Sequence, residues 1–264
     1  MNYGLYLSAS GVLTNMYRQD VFANNLANAH TVGFKPDIPG LSQRPPESIE
    51  DDLGFQFRQD LLDRLGGGVF AGPQHVNFKG SQMQKTSGPL DVAIEQVPGQ
   101  PPQFFAVSAT DRQTQQRQVF LTRDGRFATD AGGALVTVAG GHQVLDQQDR
   151  PIQLGPGPVI IDGRGVVHQN GEPISVIQVA FVDDPQKLIK QGGNLFKIDP
   201  SQEKKVVESA KLLPGFVEAS GTDPIMALMN LIKATKAVTG NGNLIRYHDS
   251  LMDRAVNVLG RVVA

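Results

Sequence analysis

The sequence predicts an α+β fold in which helices from the two chain ends form a discontinuous, coiled-coil-like α domain beside a central antiparallel β domain. Three observations carry this. An apolar stripe with helical spacing opens the chain, a period of two punctuated by glycine turns fills its middle, and helical spacing returns after residue 215. The 264 residues are 40% hydrophobic, enough to bury a core without a disulfide or a metal. Gly (29) and Pro (17) are frequent, which favours turns over long helices between the ends.

In the first element, Leu5, Ala9, Val12, Met16, Gln19, Ala23 and Leu26 recur at alternating spacings of four and three, with Gln19 the polar member. So narrow a stripe suits packing on another helix better than lining a globular core. Asn28 and Gly33 tolerate left-handed backbone and Pro36 cannot continue a helix, so the helix is expected over 3–27. Residues 36–87 carry Pro36, Pro39, Pro45, Pro46, Gly66 to Gly68, Gly72 and Pro73. They read as an irregular connector with a short helix around 57–65.

Residues 88–213 read as the β domain, with strands expected at 104–107, 119–122, 135–138, 159–161 and 174–182. Asp124-Gly125, Gly132-Gly133, Gly140-Gly141, Asp162-Gly163 and Asn170-Gly171 mark the turns between them, because glycine supplies the positive φ of tight hairpins. In the closing segment, 214–264, Asp223 is placed to cap a helix and Pro224 to start it. Ile225, Leu228, Met229 and Ile232 form one apolar set, and Leu244, Ile245, Leu251, Met252, Val256 and Leu259 another. Gly240 and Gly242 lie between these sets, each costing about 1 kcal/mol in a helix interior, so a kink or break is expected there. A stripe too narrow for its own core gains most when helices of both termini, or of neighbouring subunits, bury their stripes together. The residues expected at that assembly interface are Leu5, Ala9, Val12, Met16, Ala23, Leu26, Ile225, Leu228, Ile232, Leu244, Leu251 and Met252.

Several function classes find no support. Lys plus Arg (24) nearly balance Asp plus Glu (26), so no basic field attracts nucleic acid or anionic lipid. There is no cysteine, hence no thiolate chemistry. Residues 1–10 lack the basic-then-apolar form of a secretory signal, and no run of about 18 apolar residues suggests a membrane span. His30, His75, His142, His168 and His248 show no metal-ligand spacing, and Asp51-Asp52 and Asp183-Asp184 read as solvated loops. Gly66 to Gly68 lack the strand, helix and Lys-Ser context of a phosphate loop, and no Gly-x-Ser-x-Gly elbow occurs. No catalytic residue, cofactor or metal is expected.

Residues 21–35, VFANNLANAHTVGFK, resemble the signature that follows the first helix in flagellar rod and hook proteins, close to ANNLANxxTxGFK. Its matched positions include Asn24, Asn25, Leu26, Ala27, Asn28, Gly33 and Phe34. Read from the residues alone, the asparagines end the helix by competing for backbone hydrogen bonds, while Gly33 and Phe34 set and anchor a turn. Four further stretches are similar to the same family in the same order: PLDVAIE at 89–95, LTRDGRF at 121–127, GGNLF at 192–196 and LPGFVEASGTDPIMALMN at 213–230. Val238 and Gly240 depart from the family's usual aromatic and helix former, and Gly221 and Thr222 from its usual Asn and Val. The resemblance implies a non-enzymatic subunit of the proximal or distal rod, exported by the flagellar export apparatus without a cleavable signal peptide. In the periplasm it would assemble with copies of itself and with other rod or hook subunits into a helical tube. A hook-type axial component, or a soluble β-domain module that binds a surface polysaccharide under helical lids, are the alternatives.

Overall fold

A computed structural model describes residues 3–45, 66–111, 114–208 and 210–259; the short helix expected at 57–65 lies outside them. The chain divides into two compact units, one of Met1–Ala27, Asp37–His75 and Asp223–Ala264, the other of Asn28–Pro36 and Val76–Thr222.

The first unit is built on two long helices, α1 (Tyr3–Ala27) and α2 (Pro224–Arg254). They are antiparallel. A Cβ at Gly4 would lie 2.7 Å from His248 Nε2, and one at Gly11 would lie 2.7 Å from Asn241 Nδ2, so seven residues up α1 match seven down α2. α2 starts as its sequence dictates: Asp223 Oδ1 accepts from the backbone N–H groups of Ile225 (2.9 Å) and Met226 (3.2 Å), and Pro224 opens the first turn.

The break expected at Gly240 to Gly242 is absent, for α2 is one helix from Pro224 to Arg254. Asn241, between the two glycines, faces Gly11 of α1, and the same face is anchored on either side by Ala234 and His248. Pairing on this scale outweighs a propensity loss of about 2 kcal/mol for two glycines.

Residues 36–87 are more regular than their prolines suggested. They hold β1 (Asp37–Gln43) and β2 (Val69–Val76), which pair as a two-stranded ribbon, and β3 (Met83–Lys85). Side-chain bonds within the first unit tie this ribbon to α1. Thr14 Oγ1 donates to Val69 O (2.9 Å), Tyr17 Oη to Gly72 O (3.3 Å), and Asn25 Nδ2 to Asp37 O (2.7 Å).

The second unit is antiparallel throughout its registered pairs. Its main sheet has nine strands and runs β14 (Ile189–Gly192), β15 (Leu195–Lys197), β6 (Arg117–Thr122), β5 (Phe104–Thr110), β9 (Gln143–Val144), β8 (Leu135–Thr137), β7 (Phe127–Thr129). β13 (Val179–Phe181) joins it through β5 and pairs with β16 (Lys205–Val206). A separate sheet orders β10 (Val159–Ile161), β11 (Val166–Gln169) and β12 (Glu172–Val176), while β17 (Leu212–Pro214) pairs β4 (Val92–Ile94) and β18 (Phe216–Glu218) pairs β3. The single strand expected over 174–182 is therefore two strands in two sheets. Between them Gln178 is fully buried, its N–H donating to Leu145 O at 2.9 Å and its Oε1 accepting from Lys204 Nζ at 3.0 Å. One apolar cluster centres on Phe105, Phe120, Leu135, Val144 and Ile152. A second is organised by Phe78, Phe104 and Phe196, whose ring centroids stand 5.5 to 5.6 Å apart.

Candidate assembly interface and signature turn

The seam that α2 turns toward α1 follows Ala227, Leu231, Ala234, Val238, Asn241, Ile245 and His248, again at alternating spacings of four and three. Ala227 and Ala234 are buried and the rest half-buried. On α1 the buried side chains are Ser8, Thr14, Val21 and Asn25. Thr14 and Asn25 are held by the β1–β2 ribbon, while the face of α1 toward α2 carries Gly4 and Gly11, small residues that let the helices approach, and Ser8 Oγ there bonds locally to Gly4 O at 2.8 Å.

The stripe singled out by periodicity lies largely elsewhere. Leu5, Ala9, Val12 and Leu26 are half-buried, whereas Met16 and Ala23 are exposed. On α2, Ile225, Leu228, Ile232, Leu244, Leu251 and Met252 are all exposed. Together with Leu13, Met226, Met229 and Tyr247 they leave the helix pair with far more uncovered apolar surface than scattered single side chains would give. The Ala227 to His248 seam was legible in the same spacing rule, had small residues been weighted above large ones.

The signature divides between the units. In the first, Asn24 and Ala27 are exposed, and Asn25 is buried, receiving the Asp37 N–H at 2.9 Å while donating to its carbonyl. In the second, Asn28 closes a turn by accepting from Thr31 N (3.1 Å), and Ser220 Oγ donates to its carbonyl (2.9 Å). Gly33 holds φ +68°, and a Cβ there would sit 2.5 Å from the Arg123 carbonyl, so only glycine fits. Phe34 is buried under Lys190, whose Nζ lies 4.9 Å from the ring centroid.

Three of the other stretches that resemble the family, 121–127, 192–196 and 213–230, meet this turn. Gly33 N–H donates to Glu218 O (2.7 Å) and Gly221 N–H to Phe34 O (2.8 Å), so segments 28–36 and 218–222, which both lead to the helices, are bonded side by side. Asn194, at φ +63° in the β14–β15 turn, donates through Nδ2 to Val32 O at 2.8 Å.

A charged cluster absent from the sequence-level expectations lies beneath. Lys35 Nζ stands 2.7 Å from Glu218 Oε1 and donates to Lys79 O at 2.8 Å. Arg123 Nη1 reaches Glu218 Oε2 at 3.3 Å, and its Nη2 donates to Gln96 Oε1 at 2.5 Å. Ser81 N–H adds a third donor to the carboxylate at 2.8 Å, and the guanidinium carbon lies 5.4 Å from the Phe104 centroid. All three charged side chains are at most 1% exposed. Burial pushes the Lys35 ammonium below its usual range, with Glu218 opposing and Arg123 reinforcing the shift. Burial likewise lowers Arg123, against the pull of Glu218. Two cations on one buried carboxylate form a clamp that ties segments 28–36, 121–127 and 213–230 together. The only signal in the sequence was a glutamate inside the apolar run Phe216-Val217-Glu218-Ala219.

Among the described residues no three His, Cys, Asp or Glu side chains converge as a metal site, and no helix is long and apolar enough to cross a membrane.

A family model described as flagella basal body rod protein matches residues 5–35. The chain is 30% identical to the flagellar basal-body rod protein FlgF of Caulobacter vibrioides, over 99% of this chain and all of that protein. It is 27% identical to FlgF of Rhizobium meliloti, covering 98% of this chain and 99% of the relative. Against the rod protein FlgG of Borreliella burgdorferi identity is 27%, over 98% and 99% of the two chains. With this likeness running from end to end, the chain belongs to the flagellar basal-body rod protein family.

Proposed function

We infer that this protein is a structural subunit of the bacterial flagellar basal-body rod that polymerises through its terminal helices and performs no chemistry of its own. The observation that carries the reading is the apolar face left on the α1–α2 pair, where Ile225 is 72% exposed, Leu13 69% and Leu251 62%. Side chains of this kind each gain about 1.5 to 3 kcal/mol on full burial, so neighbouring subunits that cover them stabilise the assembly. A heterologous contact that does not close into a ring propagates as an open helical tube. In this reading the partners are copies of the chain and other rod or hook subunits, the export apparatus delivers it, and the β unit decorates the helical layer. Packed interfaces then carry torque.

The test replaces Met16 or Leu26 with Asp in the full chain. Loss of assembly and motility, with the β unit still melting as in the parent, is expected; motile cells carrying either substitution contradict the proposal. A polysaccharide-binding module under helical lids predicts no effect of either change on motility.

A further inference from the structure

The run Gly240-Asn241-Gly242, which α2 carries without a break, sets a chemically labile pair of residues at the seam between α2 and α1. Asparagine is thermolabile because the next backbone nitrogen can attack its side-chain amide, and a following glycine, with no Cβ, leaves that nitrogen unhindered. The sequence holds two such dipeptides, Asn170-Gly171 and Asn241-Gly242. Their settings differ. Asn170 and Gly171 are exposed in the turn between β11 and β12, whereas Asn241 and Gly242 are half-buried inside α2.

While α2 is helical the attack is blocked. Helix geometry directs the Gly242 N–H at the Val238 carbonyl and away from the Asn241 side chain. The carboxamide itself lies flat against α1, with Nδ2, Cγ and Oδ1 at 2.7, 3.1 and 3.4 Å from where a Cβ on Gly11 would stand. The Gly11 carbonyl beside it is already taken by Asn15 Nδ2 at 2.7 Å. Yet this guarded amide sits where α2 is intrinsically weakest, since a glycine on either side lowers helix stability and concentrates local opening there. Packing does not demand those glycines, for a Cβ at Gly240 or Gly242 would meet nothing within 4 Å.

We propose that Asn241 is a self-modification site, protected while α2 is helical and converted to aspartate or isoaspartate when the Gly-Asn-Gly stretch opens. On opening, the Gly242 nitrogen bonds to Asn241 Cγ, the Cγ–Nδ2 bond breaks, and ammonia leaves carrying the proton of the Gly242 N–H. Water then adds to one of the two carbonyls of the cyclic imide, and the ring opens to aspartate or to isoaspartate. No oxidant, cofactor or partner enters the balance. Either product is lodged at the seam. Aspartate sets a carboxylate against the α1 backbone at Gly11, and isoaspartate adds a methylene to the main chain of α2 and breaks its hydrogen-bond register. A chain that has opened long enough to react no longer restores the original pair, so the site records the unpairing of its helices and makes it permanent. The site lies within one chain and is independent of what covers the helix pair in an assembly.

The test incubates the full chain at physiological temperature and mildly alkaline pH and follows each asparagine by peptide mapping that separates Asp from isoAsp. Conversion at Asn241 should exceed that at Asn243, which leucine follows in the same helix, by about tenfold or more. Sub-denaturing urea should speed it. Gly240→Ala leaves the reacting pair intact and strengthens only the helix, so it should slow Asn241 by about fivefold while Asn170 keeps its rate. The purified product should exchange its amides around residue 241 about tenfold faster than the parent. Conversion at Asn241 no faster than at Asn243, a rate indifferent to both urea and Gly240→Ala, or a product exchanging as the parent does would each overturn the proposal.

Discussion

Replacing Glu218 with Gln is the perturbation whose consequence follows most directly from the geometry. It keeps the side-chain shape and one acceptor but removes the negative charge that Lys35 and Arg123 share, at 2.7 and 3.3 Å with side chains at most 1% exposed. Removing one partner of a buried ion cluster leaves uncompensated charge and costs about 3 to 5 kcal/mol. For a domain of this size each kcal/mol moves the melting midpoint by about 2 to 4 °C, so scanning calorimetry of the full chain should show a drop of about 6 to 20 °C. The loss should also depend on pH. Burial already lowers the Lys35 pKa and Glu218 opposes that shift, so without Glu218 the folded value falls further below the unfolded 10.5. The unfolded chain then binds more protons than the folded one between those two values, and stability rises with pH across that window. The deficit of the variant should therefore narrow from neutral toward alkaline pH. A midpoint within 2 °C of the parent at neutral pH would refute the reasoning.

Further expectations rest on single positions. Gly33→Ala should cost more than about 2 kcal/mol in urea unfolding, since φ +68° and a backbone contact at 2.5 Å are both hostile to a Cβ. Gly240→Ala and Gly242→Ala should each stabilise by about 0.5 to 1 kcal/mol, because α2 is continuous there and an added Cβ meets nothing within 4 Å; no gain by thermal melting would restore the kink. Asp223→Ala should cost about 1 kcal/mol and speed amide exchange at Ile225 and Met226, whose N–H groups the carboxylate holds. Lys35→Met, read against the parent from pH 7 to 10, should lose the alkaline gain in stability that the lowered Lys35 pKa gives the parent.

The parts of the fold that local rules govern were legible in the sequence. α1 ends where Asn28 and Gly33 turn the chain, α2 starts at Asp223 and Pro224, and the strands at β5 and β6 sit where β-branched and aromatic residues cluster. What escaped depended on distant partners. Gly240 and Gly242 read as a break because propensity is local, while the helix that overrides it is more than 200 residues away in sequence. β1 and β2 contain Pro39 and Pro73, which disfavour a central strand, yet in a two-stranded ribbon both strands are edge strands, where proline is tolerated. The Lys35–Glu218 pair spans 183 positions, and no spacing rule reaches that far. The family-like stretches were visible one by one, but the meeting of 121–127, 192–196 and 213–230 at the turn of Gly33 belongs to the fold. For the helix faces, large side chains drew attention to a stripe that the isolated chain leaves uncovered, whereas the seam it does use is built from Gly4, Gly11, Ala227 and Ala234.

The central claim, that the uncovered apolar face of the helix pair is buried between subunits in the rod, is tested most directly by thiol labelling at Leu228, 47% exposed in the isolated chain. A Leu228→Cys chain that still supports motility would be labelled free in solution and within purified basal bodies. The account predicts rapid modification of the free chain and protection of at least tenfold in basal bodies; equal reactivity in the two states would contradict it.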